Sequence, residues 1–158
     1  ETITSDPDYK DGNYTVQPKI ARIANVFYAT GTNGGDLAYQ RLAPTRADAD
    51  KLLDARLKAP FTADANDFIY QWQASGDYNP ALMLDRIKAH LLAINSADDE
   101  RNPVATGLME AAMKKVARGG LYVIPASATT AGHGTTGAQA KLYAERLKAF
   151  LEGVPKQN

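Results

Sequence analysis

Between residues 19 and 30, Ile20, Ile23, Ala24, Phe27 and Tyr28 recur at the spacing of one helix face. Gly31, Gly34 and Gly35 follow and end that pattern. Thr45 then precedes Arg46, Ala47, Asp48, Ala49 and Asp50, a helix start with acidic residues where the helix dipole favours them. Leu52, Leu53 and Leu57 supply the apolar face of this second helix, and Pro60 stops it. A third helix is expected over residues 64–75. Residues 1–18, rich in Asp, Pro, Gly and Tyr, read as ordered but irregular. Up to Pro80 the pattern predicts helices and loops and no strand.

Beyond Pro80 the pattern changes. Leu91, Leu92, Ala93 and Ile94 form a continuous apolar run, the mark of a strand buried on both faces. Asn102 and Pro103 are expected to start a helix with Leu108, Met109, Ala112, Met113 and Val116 on its apolar face. Lys114, Lys115 and Arg118 occupy its last turns, with Gly119 and Gly120 closing it. Residues 121–125 read as a second short strand. A final amphipathic helix is expected after Gly137, with Ala140, Tyr143, Leu147, Phe150 and Leu151 on one face. The fold class is α/β: a helical region over 1–80, then strand, helix, strand and helix over 81–158. That order implies a right-handed parallel crossover. Two parallel strands need cover on both faces and at both edges, and this chain offers little of it.

Composition narrows the chemistry. The chain has 158 residues, enough for one domain and too few for two full ones. Basic and acidic residues number 18 each, so the net charge is zero and no nucleic acid or membrane surface is expected as a partner. Cysteine is absent, which excludes disulfides, thiolate nucleophiles and thiolate metal sites. The two histidines, His90 and His133, are too few for a histidine-rich metal site. No apolar run approaches the about 20 residues that a membrane span requires. Neither metal nor cofactor is expected. The sequence opens at Glu1 without a basic or apolar leader, and it reads as a cut end.

The loops after the two strands hold the candidate chemistry, because parallel sheets gather ligands at the carboxyl ends of their strands. The first loop contains Asp98, Asp99 and Glu100; the second contains Gly132, His133 and Gly134. Acid followed by histidine is the order in which one class of serine hydrolase presents the last two members of its triad. The bland alternative makes the acids a solvated helix cap and His133 an ordinary loop residue. Gly132, Gly134 and Gly137 also spell G-x-G-x-x-G, but no second strand with a ribose-binding acid follows, so these glycines more readily serve to place His133. Asp6, Asp8, Asp11 and Gly12 hint at a calcium loop, yet Lys10 takes a ligand position and Gln17 replaces the closing glutamate. His90, at the far end of the first strand, has no partner there. Tyr70 and Trp72 read as core or lid-lining residues.

Several stretches together resemble the homoserine acyltransferases and their esterase relatives in the α/β-hydrolase superfamily. Asp6-Pro7-Asp8-Tyr9, Gly12-Asn13-Tyr14 and Ala21-Arg22 are similar to the segment where that family leaves its sheet for a helical lid. Asp64-Ala65-Asn66-Asp67-Phe68 is similar to its lid motif, residues 95–103 to its acid loop, and Gly132-His133-Gly134 to its histidine loop. The resemblance runs over nearly the whole chain in the same order. Aligned on Pro103, it implies Asp99 as the catalytic acid, Asp98 as second choice, and His133 as the base. It also implies a lid over 1–80 that could pair two copies of the chain.

Two departures qualify what the resemblance implies. Ser5, Ser75, Ser96 and Ser127 are the only serines, and none has the G-x-S-x-G setting of a nucleophile elbow. The expectation is therefore a carboxyl-terminal part whose serine and oxyanion donors come from a companion chain, the amino-terminal part of the same precursor. The family's acidic residue after the histidine is Gly134 here. That favours water over homoserine as the acceptor of a small acyl ester's acyl group. Ester hydrolysis leads, acyl transfer follows, and a non-catalytic binding or nucleotide-binding module stands third.

Overall fold

The computed structural model describes residues 1–155. The chain divides into two compact units, one from Glu1–Gly31 with Ala43–Asn79, the other from Thr32–Leu42 with the chain from Pro80 onward. The expected division at 80 and 81 assigns Thr32–Leu42 to the first portion; this segment packs within the second unit. Residues 156–158 of the expected second portion lie outside the described residues.

The first unit is helical. After a 3-10 turn at Pro7–Gly12 come α1 (Lys19–Thr32, in this unit through Gly31), α3 (Arg46–Lys58) and α4 (Ala65–Asp77). The helix start read at Thr45 is present, since its hydroxyl accepts from the Asp48 N–H and frees α3 of one orphan donor. Asp64 caps α4 in the same way, through the Asn66 and Asp67 N–H groups. Ile3, Ala21 and Ala65 form the centre of the core, with Tyr9, Tyr14, Ile20, Phe61, Phe68 and Ile69 packed around it. Ala21, on α1, and Ala65, on α4, are both fully buried in this cluster. Asp6, weighed above as part of a calcium loop, caps the 3-10 turn by accepting from the Asp8 N–H at 2.9 Å.

In the second unit, β1 (Leu91–Ser96) and β2 (Gly119–Ile124) pair in parallel, with Leu91 opposite Gly119 and Ser96 opposite Ile124. Around them lie α2 (Asp36–Leu42), α5 (Leu108–Met113), α6 (Thr135–Ala138) and α7 (Ala144–Gly153). α2 was not foreseen, because its seven residues are too few to show a period after two glycines. α5 is shorter than expected. Asn102 is drawn back to Asp99, Pro103 is extended, and the left-handed Gly107 separates a 3-10 turn at Val104–Thr106 from the helix proper. Gly119 and Gly120 open β2 and do not close the helix. The single helix expected after Gly137 is broken into α6, a 3-10 turn at Ala140–Leu142 and α7, where the Tyr143 hydroxyl donates to the Thr136 carbonyl at 2.8 Å.

The apolar residues of β1 are only half-buried, although their run is that of a strand covered on both faces. Phe27 and Leu82 are 80% and 84% exposed. The chain's accessible surface is 11191 Å². A compact protein of this mass exposes about 7,700 Å², and two separate domains of half the mass about 9,300 Å². Other large apolar side chains are exposed as well, among them Val16, Leu42, Tyr78 and Leu108. The isolated chain should therefore bind a hydrophobic dye such as ANS strongly and melt without a cooperative transition. Scanning calorimetry and near-UV dichroism on a monomeric sample test this, and a sharp transition with native-like dichroism would refute it.

Candidate active site

Parallel pairing with Ser96 opposite Ile124 brings the carboxyl ends of β1 and β2 side by side, so the loops that leave them meet. Asn95 and Ser96, the last residues of β1, are buried and polar, and each serves a loop. Asn95 donates through Nδ2 to the Asn102 carbonyl at 2.9 Å, while the Ser96 hydroxyl donates to Asp98 Oδ1. The strand thus anchors both ends of the acid loop.

Asp99 and His133, expected as acid and base, stand in hydrogen-bond contact. His133 Nδ1 lies 3.0 Å from Asp99 Oδ2 and 3.1 Å from Oδ1. The same carboxylate accepts from the Arg101 N–H at 2.8 Å, the Asn102 N–H at 3.0 Å and Asn102 Nδ2 at 3.1 Å. Asp99 is 5% exposed, whereas the His133 side chain is 36% exposed. Burial alone would raise the Asp99 value and is the largest influence on it. The donors from Asn102, His133 and Arg101 together outweigh burial, and the carboxyl is held below the ordinary aspartate range. An ionised Asp99 only accepts, so Nδ1 carries the proton between them and Nε2 is left as the basic nitrogen. Among the described residues Nε2 has no hydrogen bond.

Asp98, the second choice for the acid, faces elsewhere. Its carboxylate accepts from Ser96, from Thr130 Oγ1 at 2.8 Å and from the Gly132 N–H at 3.3 Å. Burial again pushes upward and the donors from Ser96, Thr130 and Gly132 prevail, so its value also lies below the ordinary range. Thr130 and Thr135 are both fully buried. Thr130 Oγ1 donates to the Ser127 carbonyl, and Thr135 Oγ1 accepts from the Ala131 N–H at 2.8 Å. These two threonines shape the histidine loop from inside, and the sequence carries no periodic signal that would have found them.

The serine inventory is also settled by contacts. Ser5 Oγ donates to the Thr2 carbonyl, Ser75 Oγ to the Trp72 carbonyl and Ser96 Oγ to Asp98, while Ser127 Oγ pairs with Thr129. None of the four reaches His133. In the G-x-G-x-x-G stretch, Gly132–Gly134 forms a 3-10 turn, and α6 behind it has four residues. So short a helix offers no dipole end on which a pyrophosphate could sit.

A carboxyl whose folded value is depressed contributes stability that is full above its unfolded value, about 4, and is lost as pH falls through the lower folded value. With Asp98 and Asp99 both depressed, thermal stability of the full protein should hold from neutral pH to about 5 and fall steeply below about 4. Asp98→Asn and Asp99→Asn should each flatten that fall in a series of melts against pH. An acid limb unchanged in both variants would show that these hydrogen bonds do not stabilise the fold.

No protein-family model matches the sequence, and no curated protein matches it significantly. Solved structures do. The chain is similar to homoserine O-acetyltransferase from Bacillus anthracis, with a TM-score of 0.74 and 18% identity over 99% of this chain and 48% of that one. It is also similar to the acetyl esterase MekB, with a TM-score of 0.63 and 22% identity over 96% of this chain and 47% of that one. The chain spans about half the length of each of these proteins. The helices around a parallel strand pair have the α/β-hydrolase fold in common with both, and that is the fold of this chain.

Proposed function

We propose that this chain is the part of a serine-type carboxylic ester hydrolase that supplies the lid and two members of the triad. The Asp99–His133 pair carries the reading: a buried ionised acid holds Nδ1 of a partly exposed imidazole, and Nε2 has no hydrogen bond among the described residues. His133 Nε2 takes the proton of a serine hydroxyl as that oxygen attacks the ester carbonyl, then returns it to the leaving alcohol. Asp99 holds the ring and stabilises its cationic form, remaining ionised throughout. Water, deprotonated by the same nitrogen, then releases the acyl group.

The nucleophile and the oxyanion donors belong to a companion polypeptide, in our reading the amino-terminal part of the same precursor. Two observations support this. All four serines are engaged away from His133, and the half-buried strands leave room for the rest of a sheet. The likeness to an acetyl esterase supports short acyl esters as substrates. A fluorophosphonate probe should label the companion and not this chain, and labelling should depend on His133. His133→Ala should lower ester turnover by about 10⁴-fold or more, with Asp99→Asn costing somewhat less. Label on a serine of this chain, or full turnover by His133→Ala, would sink the assignment.

Acyl transfer is the second reading, favoured by the likeness to homoserine O-acetyltransferase over nearly the whole chain. Against it stands Gly134, which offers no carboxylate beside His133 to hold a cationic amine. The space a side chain there would enter is taken by Asn33, whose Oδ1 lies 2.7 Å from the position of a Cβ. Desolvating an ammonium without an ionic partner is costly enough to disfavour homoserine as acceptor. With p-nitrophenyl acetate and millimolar homoserine, free acetate should dominate over acetylhomoserine. The opposite product ratio would make the protein a transferase.

A further inference from the structure

We propose that Glu100 is a positioning residue for His133: its carboxylate ties the histidine loop to the turn at residues 33–35 and so fixes the main chain that carries the imidazole. The catalytic consequence rests on the hydrolase reading above, and the tie itself rests on geometry. Glu100 Oε2 accepts from the main-chain N–H of His133 at 3.0 Å, and Oε1 accepts from the main-chain N–H of Gly35 at 2.6 Å. Each oxygen serves a separate backbone donor, so no side-chain rotation can replace either bond.

The surrounding backbone is built for this contact. A Cβ at Gly132 would lie 2.0 Å from Glu100 Oε2, and φ there is +55°, so only glycine lets the carboxylate pass to the next N–H. On the other side, a Cβ at Gly35 would lie 2.6 Å from Asp98 Oδ2 and 2.8 Å from the Gly132 nitrogen. The turn is itself held, since the Tyr39 hydroxyl donates to the Asn33 carbonyl at 2.8 Å and Arg101 Nε donates to Thr32 Oγ1 at 3.3 Å. Asp99 fixes the ring of His133 and Glu100 fixes its backbone. Those two restraints leave the imidazole one orientation.

The test uses the full protein. Glu100→Gln keeps the volume but offers one acceptor oxygen to two N–H groups, and kcat for p-nitrophenyl acetate should fall about tenfold, with KM nearly unchanged. Glu100→Ala removes both bonds and should cost about 10²-fold in kcat, the scale of a misplacement of about 1 Å. Amide hydrogen exchange across residues 131–135 should quicken in both variants while β1 and β2 keep their protection. Unchanged kcat together with unchanged exchange in Glu100→Ala overturns the proposal. If Glu100→Ala unfolds throughout, the isosteric Gln variant decides alone. If the unsubstituted protein hydrolyses no ester, the hydrolase reading fails, and the exchange rates still decide whether Glu100 holds the loop.

Discussion

Asp98, Asp99 and Glu100 are consecutive, and three neighbouring carboxyl groups drawn partly or wholly out of solvent each need hydrogen-bond donors of their own. The structure divides the donors among them. Asp99 takes the amides of Arg101 and Asn102 and the His133 ring, Asp98 takes Ser96, Thr130 and Gly132, and Glu100 takes the main chain at His133 and Gly35. Every one of the three reaches the histidine loop at a different atom. The loop's conformation and the acid cluster are therefore one problem with one solution, and the alignment of two strand ends makes that solution reachable.

The first unit repeats the principle with a single carboxylate. Asp64 accepts from the Tyr14 hydroxyl at 2.7 Å, from Gln17 Nε2, and from the first amides of α4. The Tyr14 bond is the chief influence that lowers its value, while burial and then Asp64 raise that of Tyr14. Asn66 extends the network, accepting from the Tyr9 hydroxyl at 2.9 Å and donating to the Gly12 carbonyl at 3.1 Å. The left-handed pair Lys10 and Asp11, unusual for residues with side chains, sits in the turn that Asn66 holds. A helix cap and an irregular amino-terminal segment are thus one hydrogen-bonded structure, although about 50 residues separate them.

What was legible in the sequence is what a local signal carries. Thr45 before an acidic turn marked α3, the apolar run at Leu91 marked β1, and strand-end logic singled out the acid loop and His133, while the family resemblance picked Asp99 within that loop; the structure brings Asp99 and His133 together. α5 is shorter than its apolar spacing suggests because Asn102 is tied back to Asp99 three residues away and the left-handed Gly107 resets the chain before the helix. The final helix is interrupted because the backbone at Gln139 and at Tyr143 leaves the helical region. Glu100, Thr130 and Thr135 are invisible to periodicity, since their importance lies in backbone donors more than 30 residues away or in a loop's interior. Asp98 and Asp99 are the same residue type side by side, and in the structure their hydrogen-bond partners tell them apart, Thr130 and Gly132 for the one and the His133 ring for the other.

The route of the chain between its two units has an evolutionary meaning. The chain leaves the first unit after Gly31, contributes Thr32–Leu42 to the second, and returns at Ala43 before leaving again after Asn79. A recombination event that transplanted residues 1–80 as a block would carry away Gly35, one of the two backbone donors to Glu100, and the α2 helix with it. A cut at residue 80 therefore does not follow the boundary between the two units. Glu1–Gly31 and Ala43–Asn79 are the stretches that a transplant could move without touching Thr32–Leu42.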